Sequence, residues 1–227
     1  MSYLLHVDSS SLGEASVSRH VARTFLEGWD GDVVHRDLAA APVPHLSVAG
    51  VTARETDPAD HTEEQAAAAA LQHELIEEFL AANAYLFTVP MYNLSMPSAF
   101  KAWLDQIIVF GRTVRPSPAA GRPAVLISAR GGGYGPGTPN HGLVYVVPTT
   151  EAVLGREELL GLEVHTVIPE LVMVTHNPAL ADLLPKHEAS MADAHRRARD
   201  LAASITTATT VGTSHRTPAP KPATAGC

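Results

Sequence analysis

Three short stretches carry side chains suited to holding a flat, anionic ligand rather than to nucleophilic or acid–base chemistry. The first is the small polar loop Asp8-Ser-Ser-Ser-Leu-Gly-Glu-Ala15, followed by Ser16, Val17 and Ser18. Ser16 or Ser18 can cap the helix that follows. Backbone N–H groups and the positive end of that helix then face a loop of hydroxyl donors, which makes a natural anion site. The second is Pro90–Gly111, in which Met91-Tyr92-Asn93-Leu94 joins an apolar strand to a helix. Such uncharged loops at the carboxyl ends of strands are where flat ligands bind in open α/β sheets. The third is Arg130-Gly131-Gly132-Gly133-Tyr134-Gly135, whose glycines allow a close backbone approach or positive φ. Each stretch alone also suits plain structural duty: a capped Ser-rich turn, α/β punctuation, a Gly-rich loop. The chain has neither a Walker lysine nor Gly-x-Gly-x-x-Gly, so an ATPase or a dinucleotide fingerprint is not supported.

The elements that position these loops follow from periodicity. Tyr3–Val7 reads as a buried strand, and Val17, Val21, Phe25 and Leu26 mark an amphipathic helix to about Trp29. Asp32–Arg36 is a second strand. Ala39–Asp60, with three prolines, suggests an irregular surface excursion. Thr62-Glu-Glu-Gln65 has the form of a capping box and opens a helix to about Ala82. Its Glu74, Glu77 and Glu78 are expected on a solvated face, as is Arg19 on the first helix. Tyr85–Val89 is a third strand and Ser98–Val109 a helix preceded by Pro97. Arg122–Ala129 is a fourth strand, Thr149–Leu162 a helix, and Val164–Val174 an interrupted last strand. A helix from Asn177-Pro178 to about Ile205 completes the pattern. His187 and His195 could share its face, and His45 is a loop histidine; neither makes a metal site without further ligands. From Thr206 the chain loses any periodic apolar face, which predicts one domain over residues 1–205 and a disordered Thr/Ala/Pro tail over 206–227.

Strand and helix alternate about five times, which means a parallel sheet covered on both faces. At 227 residues and 45% hydrophobic content the chain can bury one sizeable core. The net charge of −8 argues against nucleic acid as a partner. The single cysteine, Cys227, excludes an intrachain disulfide and a Cys-ligated metal site. The N-terminus enters a strand without a basic leader, and no apolar run approaches the ~20 residues of a membrane span. A cytoplasmic protein without membrane association is the expectation.

The second stretch closely resembles the flavin-contacting segment of the FMN-dependent NADH-azoreductases and their NAD(P)H:quinone oxidoreductase relatives. The shared pattern runs Pro90, Tyr92, Asn93, Pro97, Lys101, Trp103, Asp105, Gly111 and Thr113. In that family a Ser and a later Ser-x-Ser hold the FMN phosphate; the matching positions are Ser10 and Ser16, Val17 and Ser18. Arg36-Asp37-Leu38 also resembles the family, as do Arg130, Gly131 and Gly132, although Ala129 stands where the family carries Ser. The match covers residues 1–134 well and the remainder loosely.

The resemblance implies a flavodoxin-like, doubly wound five-stranded sheet of order 2-1-3-4-5 with FMN at the switch point. It implies cofactor contacts from Ser10, Ser16, Val17 and Ser18, from Pro90, Met91, Tyr92, Asn93 and Leu94, and from Ala129, Arg130, Gly131, Gly132 and Tyr134. No catalytic side chain is needed, because the hydride chemistry belongs to the flavin. NADH or NADPH would be the donor, and a small quinone, azo or nitroaromatic compound the acceptor, in a ping-pong scheme. A homodimer is implied too, and the apolar helix after Pro97 suggests a face that a monomer leaves partly exposed. Two other readings stay open: a flavodoxin-type electron carrier, and a tailoring enzyme acting on an aromatic natural product. The latter draws on departures after Gly111. Val114 and Pro116 stand where relatives often carry aromatics, and Gly133–Pro148 differs, so Arg112–Ala120 and Gly133–Pro148 are expected to line the slot and decide the acceptor.

Overall fold

A computed structural model describes residues 3–213, with side chains described as far as 206. Five strands, β1 (Tyr3–Asp8), β2 (Asp32–Asp37), β3 (Ala84–Thr88), β4 (Pro123–Ile127) and β5 (Glu163–Val167), form one all-parallel sheet in the order 2-1-3-4-5. The inner strands β1, β3 and β4 are almost wholly buried, which is why they read as unbroken apolar runs rather than alternating ones.

Each face of the sheet has its own core. Leu4, Leu86, Val125 and Ile127 pack with Val21, Ala22 and Phe25 of α1 (Val17–Glu27) and with α6 (Leu184–Thr213). The α6 contacts include Ala194, Ala198 and Ala202, small residues at four-residue spacing that let two helices lie close, and Ile205. A Cβ at Gly28 would sit 3.1 Å from the Ala202 Cβ. On the opposite face Leu5, Val7, Tyr85, Phe87 and Leu126 meet α3 (Glu63–Ala81), α4 (Ser98–Ile107) and α5 (Val146–Gly155). There Phe79, Tyr85, Phe87, Phe100 and Trp103 form a continuous aromatic cluster.

Several boundaries differ from expectation. The 39–60 excursion holds a short helix, α2 (Val48–Thr52), and a 3-10 turn over Pro58–Asp60. Helix α5 begins at Val146 and ends at Gly155, and β5 stops at Val167; Val172–His176 is a 3-10 turn, not a strand. Leu171, which precedes it, takes φ 60°, a left-handed conformation that no strand accommodates. A 3-10 turn over Pro178–Leu183 precedes α6, which runs past Ile205 to Thr213. The rest of the tail expected to lack order lies outside the described residues. The capping box is present, with Thr62 and Gln65 bonding reciprocally. Glu78 is not on a solvated face: it is 17% exposed and holds Arg36 Nε at 2.6 Å. The expected exposed face of α4 is also absent, since Phe100, Trp103, Leu104 and Ile107 are buried within the single chain.

His6 of β1 is buried, stacks on His35 of β2 at 4.6 Å and has no hydrogen-bond partner for Nε2 among the described residues. Burial, reinforced by His35 and Arg19 and opposed by Asp37, lowers its pKa from 6.5 to about 3. Above pH 6.5 the folded and unfolded chains both carry this histidine neutral. Below that the unfolded chain takes up a proton that the folded one refuses, so stability falls with pH until the folded pKa is reached. The full loss is about 5 kcal/mol. Urea melts at neutral pH and near pH 4 should therefore differ strongly in the wild type and less in His6→Gln. An equal difference in both proteins would remove His6 as the cause.

Candidate functional site

The carboxyl ends of β1, β3 and β4 each give way to a loop, and the three loops surround one cleft of about 380 Å³. The sheet order reverses between β1 and β3, so this is the switch point at which open α/β sheets bind ligands. Of the residues expected to hold a cofactor, Ser10, Ser16, Val17, Ser18, Pro90, Met91, Tyr92, Asn93, Leu94, Ala129, Gly131 and Tyr134 line it. Arg130 and Gly132 do not. Arg130 is turned to Glu170, Nε to Oε1 at 3.0 Å, with its guanidinium 5.7 Å from the Tyr134 ring centroid.

The first loop meets the start of α1 through pinned hydroxyls. Ser16 caps α1, its Oγ accepting from the Arg19 N–H at 3.3 Å, and Ser18 Oγ accepts from the Ala129 N–H at 3.2 Å. Once a hydroxyl oxygen accepts a backbone N–H, its own proton remains free to donate. The first-turn N–H groups of Val17 and Ser18 have no acceptor within their own helix. Donors of both kinds therefore gather where the helix dipole is positive, an arrangement matched to an anion that only accepts.

The second loop is a tight reversal. Tyr92 and Ser95 exchange backbone bonds at 2.9 and 3.0 Å, and Asn93 and Leu94 between them take φ 49° and 70°. Asn tolerates that region, whereas Leu there carries strain, which in natural folds gathers at ligand sites. The Leu94 carbonyl accepts from Tyr145 and Val146 N–H at 3.0 and 3.2 Å, so the start of α5 holds the turn in place. The Tyr92 hydroxyl reaches the first loop, 3.3 Å from Ser10 Oγ, and accepts from the Ser11 N–H at 3.1 Å.

Ala129 ties the third loop to the other two. Its N–H donates to Ser18, and its carbonyl accepts from the Met91 N–H at 2.8 Å. The hydroxyl missing at this position thus leaves both backbone links intact. The wall opposite comes from Val172, Met173 and His176, which sequence patterning placed in or next to a strand. That segment is strapped to the glycines: Val172 and Met173 N–H groups donate to the carbonyls of Arg130 and Gly131 at 3.3 and 3.1 Å. A Cβ on Gly131 would lie 2.8 Å from Met173 Cγ, so a side chain there would displace Met173 from the wall of the cleft. Nothing in residue type or spacing signals such a strap. Leu12 and Ala15 also line the cleft and were not singled out.

Two expectations are corrected by this geometry. Val114 is fully buried and packs in the core beside Ile107, so it cannot wall a slot. No residue of 112–120 lines the cleft; of Gly133–Pro148 only Tyr134 does. Arg19 is not a solvated helix residue but is 14% exposed, with Nε 2.7 Å from Asp8 Oδ2 and Nη1 2.9 Å from Asp37 Oδ2. His6, Asp8 and His35 offer metal-ligand atoms within 4.8 Å of one another, but the Arg19 cation already faces that carboxylate. Burial alone would raise the Asp37 carboxyl; the hydrogen bonds from Arg19 and the Ala40 and Ala39 amides outweigh it and hold the pKa below its ordinary value.

The flavodoxin-like fold family matches residues 2–200. An FMN-dependent NADH:quinone oxidoreductase of Streptomyces avermitilis is 48% identical over 87% of this chain and 94% of its own length. The chain belongs to this flavodoxin-like oxidoreductase family. A second member, the FMN-dependent NADH:quinone oxidoreductase of Streptomyces coelicolor, is 43% identical over 91% of this chain and 96% of its own. An azoreductase structure from Bacillus anthracis str. Sterne shares the fold, with TM-score 0.75 and 24% identity over 90% of this chain and 100% of that one. The family pattern Lys-x-Trp-x-Asp divides by role here: Trp103 is core, while Lys101 and Asp105 form an exposed pair at 2.6 Å. Among the described residues no helix is long and apolar enough to cross a membrane.

Proposed function

We propose that the chain is an FMN-dependent oxidoreductase that takes hydride from NADH or NADPH and passes it to a quinone, azo or nitroaromatic acceptor by a ping-pong route. One observation carries the reading: the switch-point cleft presents pinned hydroxyls and helix-start amides at one side and an uncharged loop pair at the other. The relatives named above, 43–48% identical over most of their length, are FMN-dependent NADH:quinone oxidoreductases.

The residues fit the cofactor. Ser10, Ser16 and Ser18, with the Val17 and Ser18 amides, suit its terminal phosphate. Pro90–Leu94, Ala129, Gly131 and Tyr134 would hold the ring, and Arg130 and Gly132 would act through the shape of their loop. Bound FMN supplies reversible two-electron chemistry between the nicotinamide and the acceptor. The protein's part is to orient the ring, to leave one slot for donor and acceptor in turn, and to place N–H donors where negative charge gathers. The Gly131 N–H, which lies at the cleft and donates to no acceptor among the described residues, is assigned that donor role. Loading the apoprotein should give one FMN per chain, with FAD binding much more weakly, because the Ser10, Ser16 and Ser18 cradle suits a terminal phosphate monoester. Equal affinity for FAD and FMN would contradict the terminal-phosphate assignment.

We also propose a cytoplasmic homodimer. Its motive is the family resemblance, together with exposed apolar residues away from the sheet core, Phe110 at 72% and Val48 at 81%. Sedimentation at micromolar concentration should give twice the chain mass; an active monomer would sink this part alone.

A further inference from the structure

Arg19 binds three acceptors on two separate stretches of backbone: Asp8 at the end of β1 and the Ser10 carbonyl just after it, at 2.7 and 3.0 Å, and Asp37 at the end of β2, at 2.9 Å. Asp8 and Asp37 are register partners, so the parallel pairing of β1 with β2 sets two carboxylates side by side against that loop. Asp8 is 1% exposed and also accepts from the Ser10 N–H at 3.0 Å and from the Thr88 hydroxyl. Left uncompensated, these carboxylates would repel any anion seated at Ser10, Ser16 and Ser18, in a chain whose net charge is already −8. One planar guanidinium bridges both carboxylates and fixes the Ser10 backbone as well; an ammonium on a flexible stem cannot do all three.

We propose that Arg19 is the positioning residue of the phosphate cradle: it sets the Ser10 backbone and offsets one of the two negative charges of Asp8 and Asp37, so that hydroxyls and amides alone bind a phosphate monoester dianion. The inference rests on the FMN reading above. It separates two jobs usually given to one cation, since this arginine serves the phosphate from behind the loop, through its partners.

The deciding quantity is the ratio of FMN to riboflavin affinity, read by flavin fluorescence in the apoprotein, because the two ligands differ only in the phosphate. Arg19→Lys should lower that ratio by about tenfold or more, the scale of one charge-assisted hydrogen bond. Arg19→Met should lower it further, and adding Asp8→Asn to Arg19→Met should restore part of it. Melting temperatures are taken in parallel, and if Arg19→Met does not fold, the lysine variant carries the ratio. A purely structural arginine would lower the melting temperature and weaken both flavins alike, and that result, or an unchanged ratio in Arg19→Lys, overturns the proposal. A wild-type protein with no preference for FMN over riboflavin overturns the phosphate cradle itself, and Arg19's role with it.

Discussion

Replacing Ser16 and Ser18 together by alanine is expected to weaken FMN by about a hundredfold or more, since each hydroxyl bond to a charged group contributes about 1.5–3 kcal/mol. Riboflavin should lose far less. The comparison matters because both serines also have structural partners. Ser16 caps α1 through the Arg19 N–H, and Ser18 takes the Ala129 N–H that anchors the third loop. Losing a cap costs about 1 kcal/mol of helix stability, and an orphaned Ala129 amide adds a similar amount. Those losses strike any ligand of the cleft equally, whereas loss of phosphate donors strikes FMN alone. Titrations in which FMN and riboflavin weaken in step would mean that the serines shape the cleft without touching a phosphate.

The second large effect is expected far from any ligand. Trp103→Ala should destabilise the fold by about 3–5 kcal/mol, which lowers the melting temperature by roughly 6–20 °C for a chain of this size. Trp103 is fully buried on α4 and packs with Phe79, Phe87 and Phe100. Its indole N–H has no hydrogen-bond partner among the described residues, so Trp103→Phe removes an orphaned donor along with some packing and should cost much less. Thermal melts of the two variants check this. Similar stability in both would mean that the aromatic cluster refills the space. A wild-type melting temperature in Trp103→Ala with lost flavin affinity would mean that this motif residue serves the site after all.

How far residue patterns reached depended on whether the partners were local. The inner strands were legible because parallel strands buried on both faces are unbroken apolar runs, and Tyr85–Val89 shows this plainly. The Thr62–Gln65 box and the Ser16 cap were legible because their partners lie three residues away. The three loops at the cleft carried the family pattern within contiguous residues. Arg19 was missed because its partners, Asp8 and Asp37, come from the ends of two strands and meet only through the register of β1 with β2. Val164–Val174 looked like one β-branched strand, yet the chain leaves the sheet after Val167, and the Leu171 reversal sends the next N–H groups to the carbonyls of Arg130 and Gly131. Val114 was misplaced for the converse reason: its position in a family pattern was read as slot wall, while its side chain fills the core beside α4.

The most direct measurement is anaerobic stopped-flow absorbance on the FMN-loaded protein, first with NADH and then with a benzoquinone in a second mixing step. The account predicts full bleaching of the flavin band near ~450 nm by NADH, followed by its complete return on addition of the quinone, at rates that sustain repeated turnover. A flavin that stays oxidised in excess NADH, although bound and reducible by dithionite, would contradict the reductase assignment and leave an electron carrier or a changed reaction in its place.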